Sequence, residues 1–250
     1  MSHSPGIALN KVSLNLGSHP IFQDLSLHLE AGKWHSLLGR SGIGKTSLLR
    51  IIAGLQQPDE GSVLTDAGKP VSSRIAYMAQ DDGLLPWLTA RQNIQLGPRL
   101  RGERLQDTDH RVSELLERVG LSSWADALPA VLSGGMRQRV ALARTLLEHR
   151  DIVLMDEPFS RLDAITRDEL QSLSFELLSG HTVLLVTHDP MEALRLSHAL
   201  HVLEPGSPTR VQSMPLRTQP PRQLDHEEIA SRLPAVWQFM KNGENRPVPA

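Results

Sequence analysis

The sequence predicts an α/β fold with a mostly parallel sheet, an antiparallel β subdomain at the N-terminus and a helical insert. The segments "DIVLMDEP" and "HTVLLVTHD" are almost continuously apolar, which is typical of central parallel strands covered on both faces. Residues 7–29 instead alternate apolar and polar side chains, as strands with one buried face do. Between about 87 and 150, charged segments with leucines at helical spacing replace the strand patterns.

The composition excludes several classes of protein. The chain has 250 residues, a formal net charge of −2 and no cysteine, which excludes disulfides and thiolate metal sites and makes nucleic acid an unexpected partner. The N-terminus lacks a signal-peptide pattern, and no apolar run approaches the ~18 residues of a membrane helix. We therefore expect a protein that is soluble by itself and reaches a membrane only through a partner. The eleven histidines, including His198 and His201, show no metal-ligand pattern and are expected to be scattered surface or core residues.

The elements follow one another in a consistent order. "IALNKVSLNL" and "FQDLSLHLE" predict the N-terminal strands, and "KWHSLLG" predicts a buried strand that runs into a glycine-rich loop. "KTSLLRIIAGL" predicts a helix that ends near Gly54, and "RIAYMAQ" predicts a strand that ends at Gln80. The helix over "AITRDELQSLSFELLSG" connects the two central strands.

Two segments are predicted along the chain. Residues 1–213 form one domain, with the helical insert at about 87–150 and a final hairpin around Pro205–Gly206. Residues 214–250 form a tail rich in proline, glutamine and arginine. In this tail "TQPPRQ" is expected to be the least structured part, and a short helix is expected at roughly 225–241.

Four apolar strands end in polar or glycine-rich turns. The transitions are Leu38 into Gly39, Met78 toward Gln80, Met155 into Asp156 and Val186 into Thr187–His188. Ligands of open parallel α/β sheets bind beyond the carboxyl ends of the strands, so all four ends should border one site.

The first of these ends matches G-x-x-x-x-G-K-T. Such a loop wraps phosphate with its backbone N–H groups, its lysine reaches the β- and γ-phosphates, and its threonine hydroxyl holds Mg²⁺. The candidate ATP-binding residues of this loop are Gly39, Arg40, Ser41, Gly42, Ile43, Gly44, Lys45, Thr46 and Ser47.

The other strand ends carry candidate catalytic and metal-binding residues. Asp156 can hold Mg²⁺, together with Thr46 and Gln80, and Glu157 can accept a proton from the attacking water. His188 can contact the γ-phosphate. Gln80 and His188 gain this interpretation only from the other motifs, because a lone polar residue at a strand end is usually an ordinary loop residue.

A second anion site is predicted at "LSGGMRQR". Ser133, Gly134 and Gly135 lie where a helix should begin, and the free N–H groups and dipole of a helix start attract anions. Taken alone, the pattern also fits a plain serine-capped helix after a glycine turn.

With this signature the chain resembles the ATP-binding subunit of ABC transporters, over roughly residues 7–204. The phosphate loop, Gln80, the signature Leu132–Gly135, the Asp156–Glu157 pair, the Ser160–Asp163 turn and His188 occur in that family's order. The resemblance implies a P-loop NTPase core that binds ATP and Mg²⁺ and hydrolyses ATP, with Glu157 and His188 as catalytic residues.

The resemblance also implies partners. Two such subunits stack head to tail as an ATP-bound homodimer, so that Ser133, Gly134 and Gly135 of one chain contact the ATP held by the phosphate loop of the other. The dimer works with membrane permease subunits and, indirectly, with a periplasmic or lipoprotein solute-binding protein. Its expected location is peripheral, on the cytoplasmic face of the inner membrane.

Two positions depart from the family pattern. Leu16 stands where an aromatic residue usually stacks on adenine, which predicts weak base selectivity. Phe22 is a possible substitute but is expected in the core. Arg161 replaces the alanine of the usual Ser-Ala-Leu-Asp turn and is expected at the dimer seam.

The segment "DDGLLPW" resembles the importer group for nitrate, sulfonates, taurine and thiamine-type pyrimidine precursors. Its apolar part, Leu84–Trp87, is either a permease-docking patch or an ordinary hydrophobic turn. The acidic "DDG" favours a thiamine-precursor pyrimidine as cargo, with nitrate, sulfonate or taurine as the alternative. A soluble ABC ATPase of translation or DNA repair is a weaker alternative, because the chain has one cassette and no long coiled coil. A regulator that binds ATP without hydrolysing it is disfavoured by Glu157 and His188.

Overall fold

The computed structural model describes residues 4–206 and 208–241. The chain forms two units: one contains Met1–Ile75 and Gly180–Ala250, and the other contains Ala76–Ser179. In the described part of the chain, no helix has the length and apolar character needed to cross a membrane. The strands are β1 (Ile7–Leu16), β2 (His19–Leu29), β3 (Trp34–Leu38), β4 (Glu60–Thr65), β5 (Ile75–Met78), β6 (Ile152–Asp156), β7 (Thr182–Thr187), β8 (Ala199–Glu204) and β9 (Arg210–Pro215). The helices are α1 (Lys45–Ile52), α2 (Ala90–Ile94), α3 (Leu96–Leu100), α4 (Gln106–Arg118), α5 (Gly134–Leu147), α6 (Ala164–Leu177), α7 (Pro190–Leu196) and α8 (Glu227–Lys241).

The N-terminal antiparallel sheet of the first unit has the strand order β2-β1-β4. Strands β1 and β2 lie where the alternating pattern predicted them, and Ile7 pairs with Leu29. Strand β4 was not predicted, because apolar and polar residues do not alternate in its sequence "EGSVLT". Most of its residues are exposed or half-buried in the structure. Its single glycine lies very close to β1, since a Cβ on Gly61 would lie 2.3 Å from the carbonyl oxygen of Lys11.

The parallel strands of the first unit surround β3, whose five residues are all buried. Strand β3 pairs in parallel with β7 on one side and with β8 on the other, and Leu38 lies opposite Thr187. The predicted final hairpin is confirmed, since β8 and β9 pair antiparallel from Ala199↔Pro215 to Glu204↔Arg210. The predicted α/β class with mostly parallel central strands is therefore confirmed.

The second unit contains β5 and β6, which are neighbours, and the helices α2 to α6. Its bounds differ from the insert that helical periodicity placed at about 87–150. Helical periodicity in the sequence indicates only where the helices lie. The compact unit also contains the strands β5 and β6 and the helix α6, which pack with those helices.

The C-terminal segment up to residue 241 belongs to the first unit and packs on it through one face of α8 and through Arg222. Helix α8 buries Ile229, Val236 and Met240 against Ala193 and Leu200. The segment "TQPPRQ" contains no helix or strand, but it is not unpacked, because the side chain of Arg222 is fully buried. Composition alone could not reveal the acceptors that hold it. Residues 242–250 of the predicted tail lie outside the described residues.

Arg222 organises this segment by hydrogen bonding. Its guanidinium donates to the carbonyl oxygens of Leu194 and Ser197, both at 2.8 Å, and to Glu228 Oε2 at 3.3 Å. Hydrogen bonds from the backbone and hydroxyl of Thr218 and from the backbone of Arg217 lower the pKa of Glu228 to about 2, against the opposing effect of its burial. A buried arginine with carbonyl and carboxylate partners ties the tail to α7.

Two buried histidines connect β3 to β8. His35 Nε2 donates to the carbonyl oxygen of Glu30 at 3.1 Å, so its Nδ1 accepts from His201 Nε2 at 3.2 Å. His201 Nδ1 then accepts from the Ser213 hydroxyl at 2.8 Å. This chain of bonds requires both rings to be neutral. Burial lowers the pKa of His35 to about 4 and that of His201 to about 3.

These lowered pKa values predict that the protein loses stability in mild acid. The unfolded state takes up protons below the ordinary histidine pKa of 6.5, while the folded state resists until about pH 4. The stabilisation is therefore complete above pH 6.5 and is lost as the pH falls, by at most roughly 1.4 kcal/mol per pH unit for each histidine. Urea titrations at pH 7, 6 and 5 should show a shallower loss in a His35→Gln/His201→Gln variant. Equal slopes in the two proteins would contradict the assignment, and the exposed His110→Gln serves as a control.

Candidate functional site

The loop after β3 has the backbone that a phosphate loop requires. Gly42 and Gly44 have φ values of 79° and 109°, a region that favours glycine. A Cβ on Gly44 would also lie 2.8 Å from both Ile21 Cγ2 and Phe22 Cζ. The N-cap residue of α1, Gly44, makes no side-chain cap hydrogen bond, and a helix start that follows a glycine-rich loop is a typical anion site.

Lys45 places its ammonium group at this loop. The residue is only 6% exposed, and its Nζ donates to the carbonyl oxygens of Gly39 at 2.8 Å and Arg40 at 3.1 Å. Thr46 and Ser47 follow in the first turn of α1 and are half-buried, whereas Arg40, Ser41 and Gly42 are exposed. A helix start with a cation beside it fits a phosphate group.

The first unit also brings His188 to this loop. Leu38 and Thr187 are paired in the sheet, so the residues that follow them, Gly39 and His188, leave the sheet at neighbouring positions. His188 is exposed. Asp189 then caps α7 by accepting from the N–H of Met191 at 2.9 Å.

The acidic pair lies in the second unit, at the end of β6. Asp156 is 7% exposed, and the Tyr77 hydroxyl donates to its Oδ2 at 3.2 Å. A carboxylate oxygen at the end of a buried strand fits a hard cation such as Mg²⁺. Glu157 has φ 47°, a left-handed value that is uncommon outside glycine and is concentrated at functional sites. Its carbonyl accepts from the Ser160 hydroxyl at 3.0 Å.

Gln80 follows β5 and is exposed. Its carbonyl oxygen accepts from Gln138 Nε2 at 3.4 Å, which connects it to α5. Arg161, which was expected at a dimer seam, forms an ion pair with Asp81 in this chain. The turn after Glu157 and the segment after Gln80 are therefore in contact.

The signature lies at the start of α5. Ser133 is the N-cap, and its hydroxyl oxygen accepts from the N–H of Met136 at 3.2 Å. Ser133 and Gly134 are exposed, whereas Gly135 is buried against α6. A Cβ on Gly135 would lie 2.4 Å from Thr166 Cγ2, so any larger residue there would require the Thr166 side chain to move. The helix start is thus open on one side and packed on the other.

Two polar residues near these motifs were not predicted. Tyr77 contacts Asp156, as described above. The side chain of buried Asn93 accepts from the N–H of Leu85 at 2.8 Å and donates to the carbonyl oxygens of Leu88 at 2.9 Å and Thr89 at 3.1 Å. These bonds fix the turn that carries Trp87, which is 70% exposed. The only sequence signal was an amide within the otherwise apolar face of "RQNIQL".

The two candidates for adenine contact have different surroundings. Leu16 lies at the end of β1 and is 52% exposed. Phe22 is 1% exposed and packs beneath Gly44, as expected of a core residue. Phe22 therefore supports the phosphate loop from below.

Comparison with known proteins identifies the family. Residues 22–160 match the family described as ABC transporter. The chain belongs to the ABC transporter family. An uncharacterised ABC transporter ATP-binding protein of Haemophilus influenzae is 45% identical over 199 residues, which cover 79% of this chain and 81% of that protein.

Further members of the ABC transporter family carry more specific names. The aliphatic sulfonates import ATP-binding protein SsuB 1 of Pseudomonas savastanoi is 45% identical, over 86% of this chain and 87% of its own length. The taurine import ATP-binding protein TauB of Jannaschia sp. is 41% identical, over 80% of this chain and 78% of its own length. A solved dimer of the ATP-binding cassette MJ0796, bound to ADP and Pi, superposes with a TM-score of 0.73 at 29% identity and covers 85% of this chain and 100% of that one.

For an ABC transporter chain, Lys45→Ala is expected to abolish tight Mg·ATP binding, because it removes the one full positive charge buried at the phosphate loop. Isothermal calorimetry should show affinity lower by roughly 100-fold or more. The exposed Lys69→Ala is the matched control, and thermal unfolding checks that both variants are folded. Unchanged affinity in a folded Lys45→Ala protein would contradict this role.

Proposed function

We propose that this chain is the ATP-hydrolysing subunit of a membrane importer. The observation that carries the proposal is that one chain of the ABC transporter family has two helix starts suited to anions, one at Gly44–Lys45 and one at Ser133–Gly135. A kinase or GTPase needs only the first.

ATP is the proposed substrate of the phosphate loop. The backbone N–H groups from Gly39 to Ser47 wrap the phosphates, and Lys45 provides the charge. Thr46, Gln80 and Asp156 are the proposed Mg²⁺ ligands. When bound, Mg²⁺ neutralises the negative charge of the phosphates. Tyr77 keeps the Asp156 carboxylate oriented through its hydroxyl hydrogen bond.

Hydrolysis is assigned to two residues. Glu157 accepts a proton from the attacking water. Its left-handed backbone, with φ 47°, is of the kind that is concentrated at functional sites. His188 donates a hydrogen bond to the γ-phosphate, whose charge it helps to stabilise.

The second anion site requires a second copy of the chain. Each nucleotide is proposed to lie between the phosphate loop of one chain and Ser133, Gly134 and Gly135 of the other, in a head-to-tail homodimer. The dimeric structure of MJ0796 supports this arrangement. ATP then holds the dimer together, and its hydrolysis loosens the dimer.

Glu157→Gln is expected to keep ATP binding and lose hydrolysis, because only the proton acceptor changes while the size of the side chain is retained. Phosphate release should fall about 100-fold or more, within the range typical of general-base removal. Gel filtration with Mg·ATP should show a persistent dimer. The exposed Glu176→Gln on α6 controls for loss of charge. A Glu157→Gln protein that hydrolyses ATP at the wild-type rate would refute the assignment.

The cargo is proposed to be a sulfonate, such as an aliphatic sulfonate or taurine. This rests on the relatives named for those substrates, and it agrees with the alternative that the "LLPW" segment suggested. The thiamine-precursor preference gains no support from these relatives. The subunit is proposed to lie peripherally at the cytoplasmic face of the membrane, bound to permease subunits. A solute-binding protein is proposed to deliver the solute to these permease subunits.

The docking patch is proposed to be Leu84–Trp87. Trp87 is 70% exposed on a turn that Asn93 holds rigid, so a partner can bury the indole without ordering a flexible loop. Large exposed aromatic side chains are typical anchors of protein interfaces.

Deletion of the gene should abolish growth on taurine or alkanesulfonates as sole sulfur source, and a Leu85→Ser/Trp87→Ser chain should fail to restore it. ATP hydrolysis by the isolated variant should stay within about twofold of wild type, since surface substitutions remote from a site cost little. Leu100→Ser, which replaces an exposed leucine of the same unit, should restore growth. Normal sulfonate growth of the deletion strain would refute the cargo, and normal growth with the double variant would refute the patch.

A further inference from the structure

Three arginines converge on the short segment between Gln80 and the docking patch. Arg144 on α5 donates to the carbonyl oxygens of Asp82 at 2.6 Å and Gly83 at 3.0 Å. Arg161 pairs with Asp81, and Arg137 on α5 pairs with Asp82. The backbone of this segment is thereby held against the signature helix.

The Asp82 carboxylate links the docking patch to the signature through direct hydrogen bonds. Its Oδ1 accepts from the N–H of Leu84, the first residue of the patch, at 3.1 Å. Its Oδ2 accepts from Arg137 Nε at 2.9 Å. Arg137 Nη1 in turn donates to the carbonyl oxygen of Leu132, the first residue of the signature, at 2.8 Å.

We propose that Asp82 and Arg137 are positioning residues that couple partner docking at Leu84–Trp87 to the placement of the signature Leu132–Gly135. The inference rests on the proposed function of both segments. A movement of the patch that displaces the N–H of Leu84 must either break a charge-assisted hydrogen bond or shift Arg137 and the Leu132 carbonyl with it. Arginine suits this role because its rigid planar group bonds two acceptors in fixed directions.

The Asp82–Arg137 pair is partly shielded from solvent. The side chains of Arg137 and Asp82 are 37% and 27% exposed, whereas those of Arg161 and Asp81 are 63% and 69% exposed. Exposed ion pairs contribute little, so the Asp82–Arg137 pair is the stronger of the two links.

The same helix offers a matched control. Arg139 also bridges a carboxylate and a backbone carbonyl, since it donates to Glu169 Oε2 at 2.8 Å and to the carbonyl oxygen of Val119 at 3.2 Å. Neither acceptor belongs to the docking patch or the signature. Arg139→Gln therefore removes an equivalent pair of bonds from α5 without breaking the proposed link.

The test measures hydrogen exchange at the docking patch while ATP engages the signature. In the full chain carrying Glu157→Gln, Mg·ATP should form the dimer and slow amide exchange of Leu84, Leu85, Trp87 and Leu88 by about fivefold or more, because coupling is reciprocal. Adding Arg137→Gln should reduce this effect to below about twofold. Asp82→Asn should do the same, because it keeps an acceptor for Leu84 but loses the charge that holds Arg137. Arg139→Gln should behave like the parent.

Failure of the proposed ATPase function and failure of the Asp82–Arg137 coupling give different results in this experiment. If the parent forms no Mg·ATP-dependent dimer, the proposed function fails and this inference fails with it. If all chains dimerise, and ATP slows exchange equally in the parent and in both the Arg137→Gln and Asp82→Asn variants, the coupling role is overturned while the proposed function stands. Thermal unfolding midpoints equal to that of Arg139→Gln show that the lost effect does not come from general destabilisation.

Discussion

Strand β3 is bonded on both sides and buried on both faces, and much of the first unit depends on that constraint. Every residue from Trp34 to Leu38 is buried, and the strand is paired with both β7 and β8, so a register shift would disrupt two sets of hydrogen bonds and the packing on both faces at once. That register fixes where the chain leaves the sheet at Gly39 and brings His188 alongside. Leu38 also joins the cluster in which α8 is packed. The phosphate loop is therefore anchored by a strand whose position the surrounding core determines.

The second unit positions its residues by a different means. Its strand end at Asp156 is fixed by a tyrosine hydroxyl, and its segment after Gln80 is held mainly by arginine side chains from α5. Side-chain hydrogen bonds and ion pairs therefore hold this segment, whereas packing on both faces holds β3.

Sequence reasoning succeeded where the signal is local. The glycines of the phosphate loop, the serine cap before α5 and the alternating strands are each encoded within a few neighbouring residues. It failed where the partner is distant or the pattern is diluted. Strand β4 carries little apolar signal, and the burial of Arg222 depends on acceptors in α7 and on Glu228. The contact of Asp82 with Arg137 joins two segments whose proximity only folding creates. The nature of the cargo is not encoded in the ATP-binding residues at all.

The contact of Gly135 with Thr166 makes two positions in different helices depend on each other. The signature glycine has no room for a side chain because the threonine methyl group occupies that space. A smaller residue at 166 would leave a gap behind the signature, and a bulkier one would push its backbone outward. The size of the side chain at the start of α6 therefore affects the support of a motif in another helix. A substitution at position 166 would be felt at the signature, although only the signature faces the nucleotide in the proposed dimer.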